Sequence, residues 1–370
     1  MKLIRSSKCS LKFTTNSKLS ELRKVISEYG RVCNIFIEYF WMNGTPSKSE
    51  LLKDIINLPE TWLTARLRKV AAREAIDMIT AVKERWKEKP WKIIQPVHKG
   101  KRAFVSCTIA DLQEKEDSKK FDAWLHLASI GEDTILDLPI KFHKHYNKLV
   151  AQGKRLNSYI LTDKYVQFSF EIDTGEKKKG FNAIGIDTGI KALASLNNGT
   201  QLGLDTEACI ERIKRCAHGS NGQKQARRAF KQRIDEVVQE IVKEFKHIDL
   251  VVVEALKNMN YKSKLKRRLS KNMRRSIGTW AYRYWLKRLE QACEVNRVGF
   301  RTVAPFYTSQ TCPSCGHVDR GNRVGQMFRC LICGHTGNAD VIAARNILAR
   351  FLTGLYGARY KPYEAMFSIL

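Results

Sequence analysis

Two short cysteine pairs limit this chain more than any other feature. Cys312-Pro313-Ser314-Cys315 and Cys330-Leu331-Ile332-Cys333 are fourteen residues apart, and each runs into a Gly-His pair (Gly316-His317 and Gly334-His335). Two C-x2-C knuckles at this spacing match a structural zinc site with four thiolate ligands. A glycine after each knuckle permits the tight turn that points both sulfurs inward. Four thiolates complete a tetrahedron, so one Zn²⁺ is expected here, structural rather than catalytic, without His317 or His335. Metal-binding thiols belong to a reducing compartment. The other cysteines (Cys9, Cys33, Cys107, Cys209, Cys216 and Cys293) are dispersed and read as small buried hydrophobes.

Charge narrows the partners. Lys and Arg number 66 against 37 Asp and Glu, a formal net charge of +29 over 370 residues. Such an excess repels itself unless a polyanion neutralises it, and phosphate contacts dominate nucleic-acid binding. No amphipathic basic helix or lipidation signal favours a membrane, and no apolar run approaches the roughly 20 residues of a span. The first residues carry scattered charges and no apolar core, unlike a signal peptide. A cytoplasmic protein is expected.

The length allows two or three domains. A polar, basic stretch at 174–180 divides the chain, giving an expected first half at 1–179 and a second at 180–370. In the first, residues 3–13 alternate as a strand, 19–41 and 65–86 read as helices, and 104–172 read as short strands. These predict a β-module with a helical bundle inserted at about 15–95. In the second, strands at 183–187, 191–196 and 249–254 alternate with helices at 223–245, 279–293 and 340–352, which predicts an α/β domain with a mixed sheet. The zinc ribbon is an insertion at about 308–337.

Three acids stand out against this frame. Asp187 closes the apolar strand Ala183-Ile184-Gly185-Ile186, and Glu254 closes Leu250-Val251-Val252-Val253. A carboxylate at the end of a buried strand is costly unless solvated, paired or bound to a cation. Either one alone is explained as well by capping the next turn. Asp340 opens the last helix, where an acid can simply complement the dipole. Together the three suit two-metal phosphodiester hydrolysis, which needs converging acids to hold two Mg²⁺ ions about 3.5–4 Å apart. Ala343 and Ala344 are small enough to let that helix approach the first strand closely.

Residues 257–289 carry twelve Lys or Arg and no acid, including Lys264, Lys266, Arg267, Arg268, Lys271, Arg274 and Arg275. Trp280, Tyr282, Tyr284 and Trp285 follow. Basic groups that track a backbone and aromatics that stack on bases suit a nucleic-acid channel, although Trp280, Tyr284 and Trp285 equally suit a core. A second basic set, Lys224, Arg227, Arg228, Lys231 and Arg233, lies on the polar side of a helix.

The order of these parts is specific. The Gly-Ile-Asp strand, the Val-Val-Val-Glu strand, a basic helix, Thr308-Ser309-Gln310-Thr311-Cys312, the second cysteine pair and Asn338-Ala339-Asp340 resemble TnpB, a transposon-encoded family related to the type V CRISPR effectors. The resemblance covers about 184–349. It implies an RNase H-like (RuvC-type) nuclease domain whose catalytic, Mg²⁺-binding acids are Asp187, Glu254 and Asp340. It also implies an RNA-guided DNA endonuclease, in which a guide RNA from the transposon end pairs with double-stranded target DNA and the first half holds the guide and reads a short flanking motif. A monomer is expected. Thr188, Ala255 and Ile342 depart from the family pattern without removing a metal ligand. The rival expectations are an unguided RNase H-fold resolvase or transposase, and a guided repressor that binds without cutting.

Overall fold

The computed structural model describes residues 2–88, 90–114, 120–131, 134–255, 276, 279 and 281–354. Two compact units follow one another, Lys2–Asp173 and Thr174–Leu370.

The first unit opens with β1 (Lys2–Ser10), followed by α1 (Asn16–Asn43), the short α2 (Lys53–Asn57) and α3 (Ala65–Arg85). Then come β2 (Ala103–Ser106), β3 (Ala110–Glu114), β4 (Ala123–Leu127), β5 (Leu136–Ile140), α4 (Lys144–Gln152), β6 (Lys154–Leu161) and β7 (Tyr165–Asp173). Thr15 and Thr64 cap α1 and α3 by accepting from the backbone N–H groups of Lys18 and Leu67. Leu22, Val25, Ile26, Tyr29, Val32, Cys33, Phe36 and Phe40 line the buried face of α1, and Leu67, Ala71, Ala75 and Ile79 that of α3. One antiparallel sheet has the order β1-β7-β6-β2 and a second the order β3-β4-β5. The helices are thus inserted between β1 and the rest. Helix α4 falls where short strands were expected. Only Tyr146 and Leu149 of its nine residues are buried, too few to register as a periodic pattern.

The second unit contains β8 (Ala183–Asp187), β9 (Ala194–Leu196), β10 (Gln201–Leu202), α5 (Thr206–Arg215), α6 (Asn221–Glu244), β11 (Leu250–Glu254), α7 (Tyr282–Val295) and β12 (Gly299–Val303). The ribbon strands β13 (Arg323–Val324), β14 (Met327–Arg329) and β15 (Thr336–Asn338) lead into α8 (Ala339–Thr353). The main sheet has the order β10-β9-β8-β11-β12. Strands β8, β11 and β12 are parallel, whereas β9 runs antiparallel to β8. Neither α5 nor the edge strand β12 was foreseen.

Side-chain parity places the acids. Ile184 and Ile186 of β8 and Val251 and Val253 of β11 enter a core shared with α5, α6 and α7. Alternate residues face the other way: Val252 packs with Ile347 and Leu348 of α8. Gly185 lies directly beneath α8, where an added Cβ would sit 2.3 Å from the Ala344 carbonyl oxygen. With a period of two, Asp187 and Glu254 project from the same face as Gly185 and Val252, the face that α8 covers. The small residue that permits the close approach is therefore Gly185 on the strand, alongside the alanines of the helix.

Candidate functional site

Asp340 is delivered to that face by a helix cap. The Asn338 side chain accepts from the N–H groups of Asp340 (2.9 Å) and Val341 (3.2 Å), fixing the first turn of α8. Asp340 and Glu254 are buried, while Asp187 keeps partial access to solvent. Burial first, and then the neighbouring charges of Glu254 and Asp340, raise Asp187 well above the usual carboxylate range. Burial also raises Glu254, against the hydroxyl of Thr308 and the positive charges of Arg350 and Arg323. The three acids thus share one electrostatic environment.

Sequence reasoning missed the residues around them. Arg323, from the ribbon, donates to an Asp340 oxygen at 2.7 Å and lowers both Asp187 and Glu254. The Thr308 hydroxyl donates to Glu254. Asn346, fully buried on α8, donates to the carbonyls of Thr308 and Thr311, both at 2.7 Å. Arg350, one turn further on, donates to the carbonyl of Ala304 at 2.5 Å and to that of Phe306. The helix that supplies Asp340 therefore also holds the segment that supports Glu254. The pattern Asp340, Asn346, Arg350 on a largely apolar helix was a readable signal, because buried polar groups need partners.

Two departures from the family pattern find local reasons. The Thr188 hydroxyl accepts from the buried Trp285 indole at 3.3 Å, and Ile342 packs with Cys312, Phe328 and Cys330 of the ribbon.

The four cysteine sulfurs lie within 4.8 Å of one another. Cys312 and Cys333 are 3.6 Å apart, and Cys315 and Cys330 3.5 Å. A tetrahedron with metal–sulfur bonds of about 2.3 Å has edges near 3.8 Å, so this cluster can hold a metal ion. Each knuckle closes as the glycines require: Gly316 (φ 76°) and Gly334 (φ 71°) are left-handed, and their N–H groups donate to the Cys312 and Cys330 carbonyls. Burial pushes Cys312 up to about 12. Cys330 also feels burial, but the N–H groups of Cys333 and Ile332 and the neighbouring thiols bring it down to about 6. The acids are spaced more widely: among the described residues, the thiols are the one His, Cys, Asp or Glu group drawn so close.

The remaining candidates divide. Arg227 and Arg228 are exposed on α6. Arg233 of the same set is engaged by Asp205 at 3.0 Å and Glu240 at 3.1 Å. Trp285 is fully buried, and the Tyr284 hydroxyl donates to Asp235 at 2.9 Å. Trp285 therefore belongs to the core, and the half-buried Tyr284 packs against it. Lys264, Lys266, Arg267, Arg268, Lys271, Arg274, Arg275 and Trp280 lie outside the described residues, as does the tail from Tyr356.

Comparison with known proteins finds matches to parts of this chain. The family model described as "Cas12f1-like, TNB domain" matches residues 282–347, from α7 through the ribbon into α8. InsQ of Escherichia coli K12, named as an RNA-guided DNA endonuclease, is 32% identical over 198 residues, 45% of this chain and 48% of InsQ. These partial matches support the resemblance to TnpB read from the sequence. The chain is also 40% identical over 74 residues to the CRISPR-associated endodeoxyribonuclease Cas12f1 of Sulfoacidibacillus thermotolerans, covering 20% of this chain and 18% of that one. It spans less than half the length of either relative. A solved Cas12f1–sgRNA–target DNA complex shares the fold, with a TM-score of 0.56 at 15% identity over 90% of this chain and 83% of that one. No helix among the described residues is long and apolar enough to cross a membrane.

Proposed function

We propose that this chain is a TnpB-type, RNA-guided DNA endonuclease, with an RNase H-like (RuvC-type) site built from Asp187, Glu254 and Asp340. The observation that carries the reading is the convergence of three carboxylates on the α8 face, where burial first, and then the charges of Glu254 and Asp340, raise Asp187. Such a cluster is costly as it stands and favours a bound cation. Its ligand atoms are all carboxylate oxygens, which suit Mg²⁺. Bound Mg²⁺ would supply an activated water and stabilise the leaving 3′ oxygen. The chain's own work is positional. Strands β8 and β11 fix Asp187 and Glu254, the Asn338 cap fixes Asp340, and Thr308 orients Glu254. Arg323 places a positive charge beside the acids, where a scissile phosphate would gain a donor. The four thiolates would hold Zn²⁺, and that ion would keep the strand bearing Arg323 in place.

The net charge of +29 supports a polyanionic partner. We assign the first unit to guide RNA and flanking-motif recognition in double-stranded DNA, and phosphate contacts to Arg227, Arg228 and the basic stretch 264–275 of the second, the chain acting in a cytoplasm as a monomer. Sequencing the RNA that co-purifies with the protein, expressed with its native flanking DNA, tests the guide. One discrete RNA with a fixed scaffold and a variable end is expected. Heterogeneous RNA removed by salt would instead favour an unguided resolvase or transposase. With that RNA in hand, Asp187→Ala should abolish cutting and leave target binding intact. Cutting by the variant would refute the acid assignment, and native protein that binds without cutting would mark a guided repressor.

A further inference from the structure

Phe306 and Tyr307 are adjacent aromatic side chains left 57% and 52% exposed. The backbone that carries them is held on every side. Arg350 donates to the carbonyls of Ala304 and Phe306. The Tyr307 carbonyl accepts from the Thr311 hydroxyl at 2.7 Å and from the N–H groups of Gln310 and Thr311, both at 3.0 Å. Asn346 holds the carbonyl of the next residue, Thr308, whose hydroxyl bonds Glu254. Tyr307 itself has φ 62°, a region that bulky residues rarely adopt. Strain of this kind persists where the surroundings impose it and gathers at ligand-contacting sites. A rigid, half-exposed aromatic pair one residue from a site acid's hydrogen-bond partner is poorly explained by packing.

We propose that Phe306 and Tyr307 form a stacking step that positions the unpaired DNA strand for cleavage, a role that rests on the nuclease reading above. Every base has a π-face, so aromatic stacking grips a strand without reading its sequence. Unpaired bases are required, because those inside a duplex are already stacked. The anchors at Ala304, Phe306 and Thr308 all come from α8, which also bears Asp340. A base held on these rings is therefore held in the frame of the acids, and its phosphate is aimed by the same helix. The two are positioning residues and donate no proton to the reaction.

The test uses the guide-loaded full chain carrying Asp187→Ala, so that binding is read without cutting. The probe is a single-stranded oligodeoxynucleotide with 2-aminopurine at successive positions, whose fluorescence falls on stacking. Quenching is expected at one or two positions. It should be lost in Phe306→Ala and in Tyr307→Gly, and kept in Tyr307→Phe. Tyr307→Gly is chosen because glycine accepts the left-handed backbone, so it removes the ring without disturbing the loop. In the parent with Asp187 intact, Tyr307→Gly should raise KM for a single-stranded substrate about tenfold, a typical loss for one stacked base. Its kcat should hold, and its cut positions should spread. Quenching unchanged in the Phe306→Ala/Tyr307→Gly double variant overturns the proposal, as does a loss confined to kcat. Absence of quenching in the starting protein overturns it too, while leaving the acid assignment to its own cleavage assay.

Discussion

Arg323 and Asp340 meet at 2.7 Å, joining the metal-binding ribbon to the acid cluster. The Asp340 side chain is only 10% exposed and that of Arg323 31%, so solvent screens this pair less than a surface bridge. Arg323 also donates to the Gly325 carbonyl at 3.0 Å, inside the hairpin of the ribbon. Its guanidinium is therefore placed by the ribbon and used at the site. Arg323→Ala should lower the cleavage rate by roughly 10²–10³-fold, the usual loss for one charge-stabilising donor. Target binding, followed by gel shift, should change little. A variant that cuts at the native rate would reduce Arg323 to a surface contact.

Gly185 is the contact point between β8 and α8. A methyl group there would meet the Ala344 carbonyl at 2.3 Å and Leu348 Cβ at 2.9 Å. A carbonyl inside a helix cannot turn away, so α8 would have to lift from the sheet. Gly185→Ala should cost about 1–3 kcal/mol or more, as overpacking does. It should also lower cleavage, because Asp340 moves with α8. Denaturant unfolding of native and variant chains checks the first effect. An unchanged midpoint would show that α8 does not rest on β8.

Asp187 and Glu254 stood out in the sequence because each ends an apolar run, a pattern carried by neighbours in sequence. Asp187 follows Ile184-Gly185-Ile186, and Glu254 follows three valines. The knuckles were legible for the same reason. What surrounds the acids was hidden because it depends on partners far along the chain. Asn346 reaches back 38 residues to Thr308, and Arg350 reaches 46 to Ala304. Strand β12 pairs with β11 at the sheet edge, and none of its five residues is fully buried, so it lacks the alternation by which a strand is recognised. Helix α5 buries only Thr206, Ile210 and Ile213 amid five basic or acidic neighbours, too few apolar positions to show a helical period.

The acid cluster should make stability depend on pH in an unusual sense. Burial and mutual repulsion raise Asp187, and burial raises Glu254, above their unfolded values near 4. A carboxyl that is raised in the folded state favours folding while protonated. That contribution is complete below the unfolded value and is lost as pH rises through the folded one. In chelator, the native chain should therefore lose stability relative to Asp187→Asn as pH climbs from about 4 to neutrality. Adding Mg²⁺ at neutral pH should raise the melting temperature of the native chain and leave the variant nearly unmoved. Parallel pH curves for the two proteins would show that Asp187 is not strained by its neighbours.

The ribbon should behave as a folding unit that its metal completes. The lowered Cys330 thiol and the knuckle amides around it favour thiolate at neutral pH. Its core is small, comprising Cys312, Phe328, Cys330, Ala339 and Ile342, and is too little to hold three short strands unaided. Elemental analysis should find one Zn²⁺ per chain and none in Cys330→Ser. Loss of the ion frees the strand that begins with Arg323, so Cys330→Ser should cut as poorly as Arg323→Ala. Ile342 joins the ribbon core to α8, and the variant should also lose amide-exchange protection in the first turns of that helix. If Cys330→Ser kept full cleavage and full protection, the ribbon would be an appendage with no part in placing Arg323.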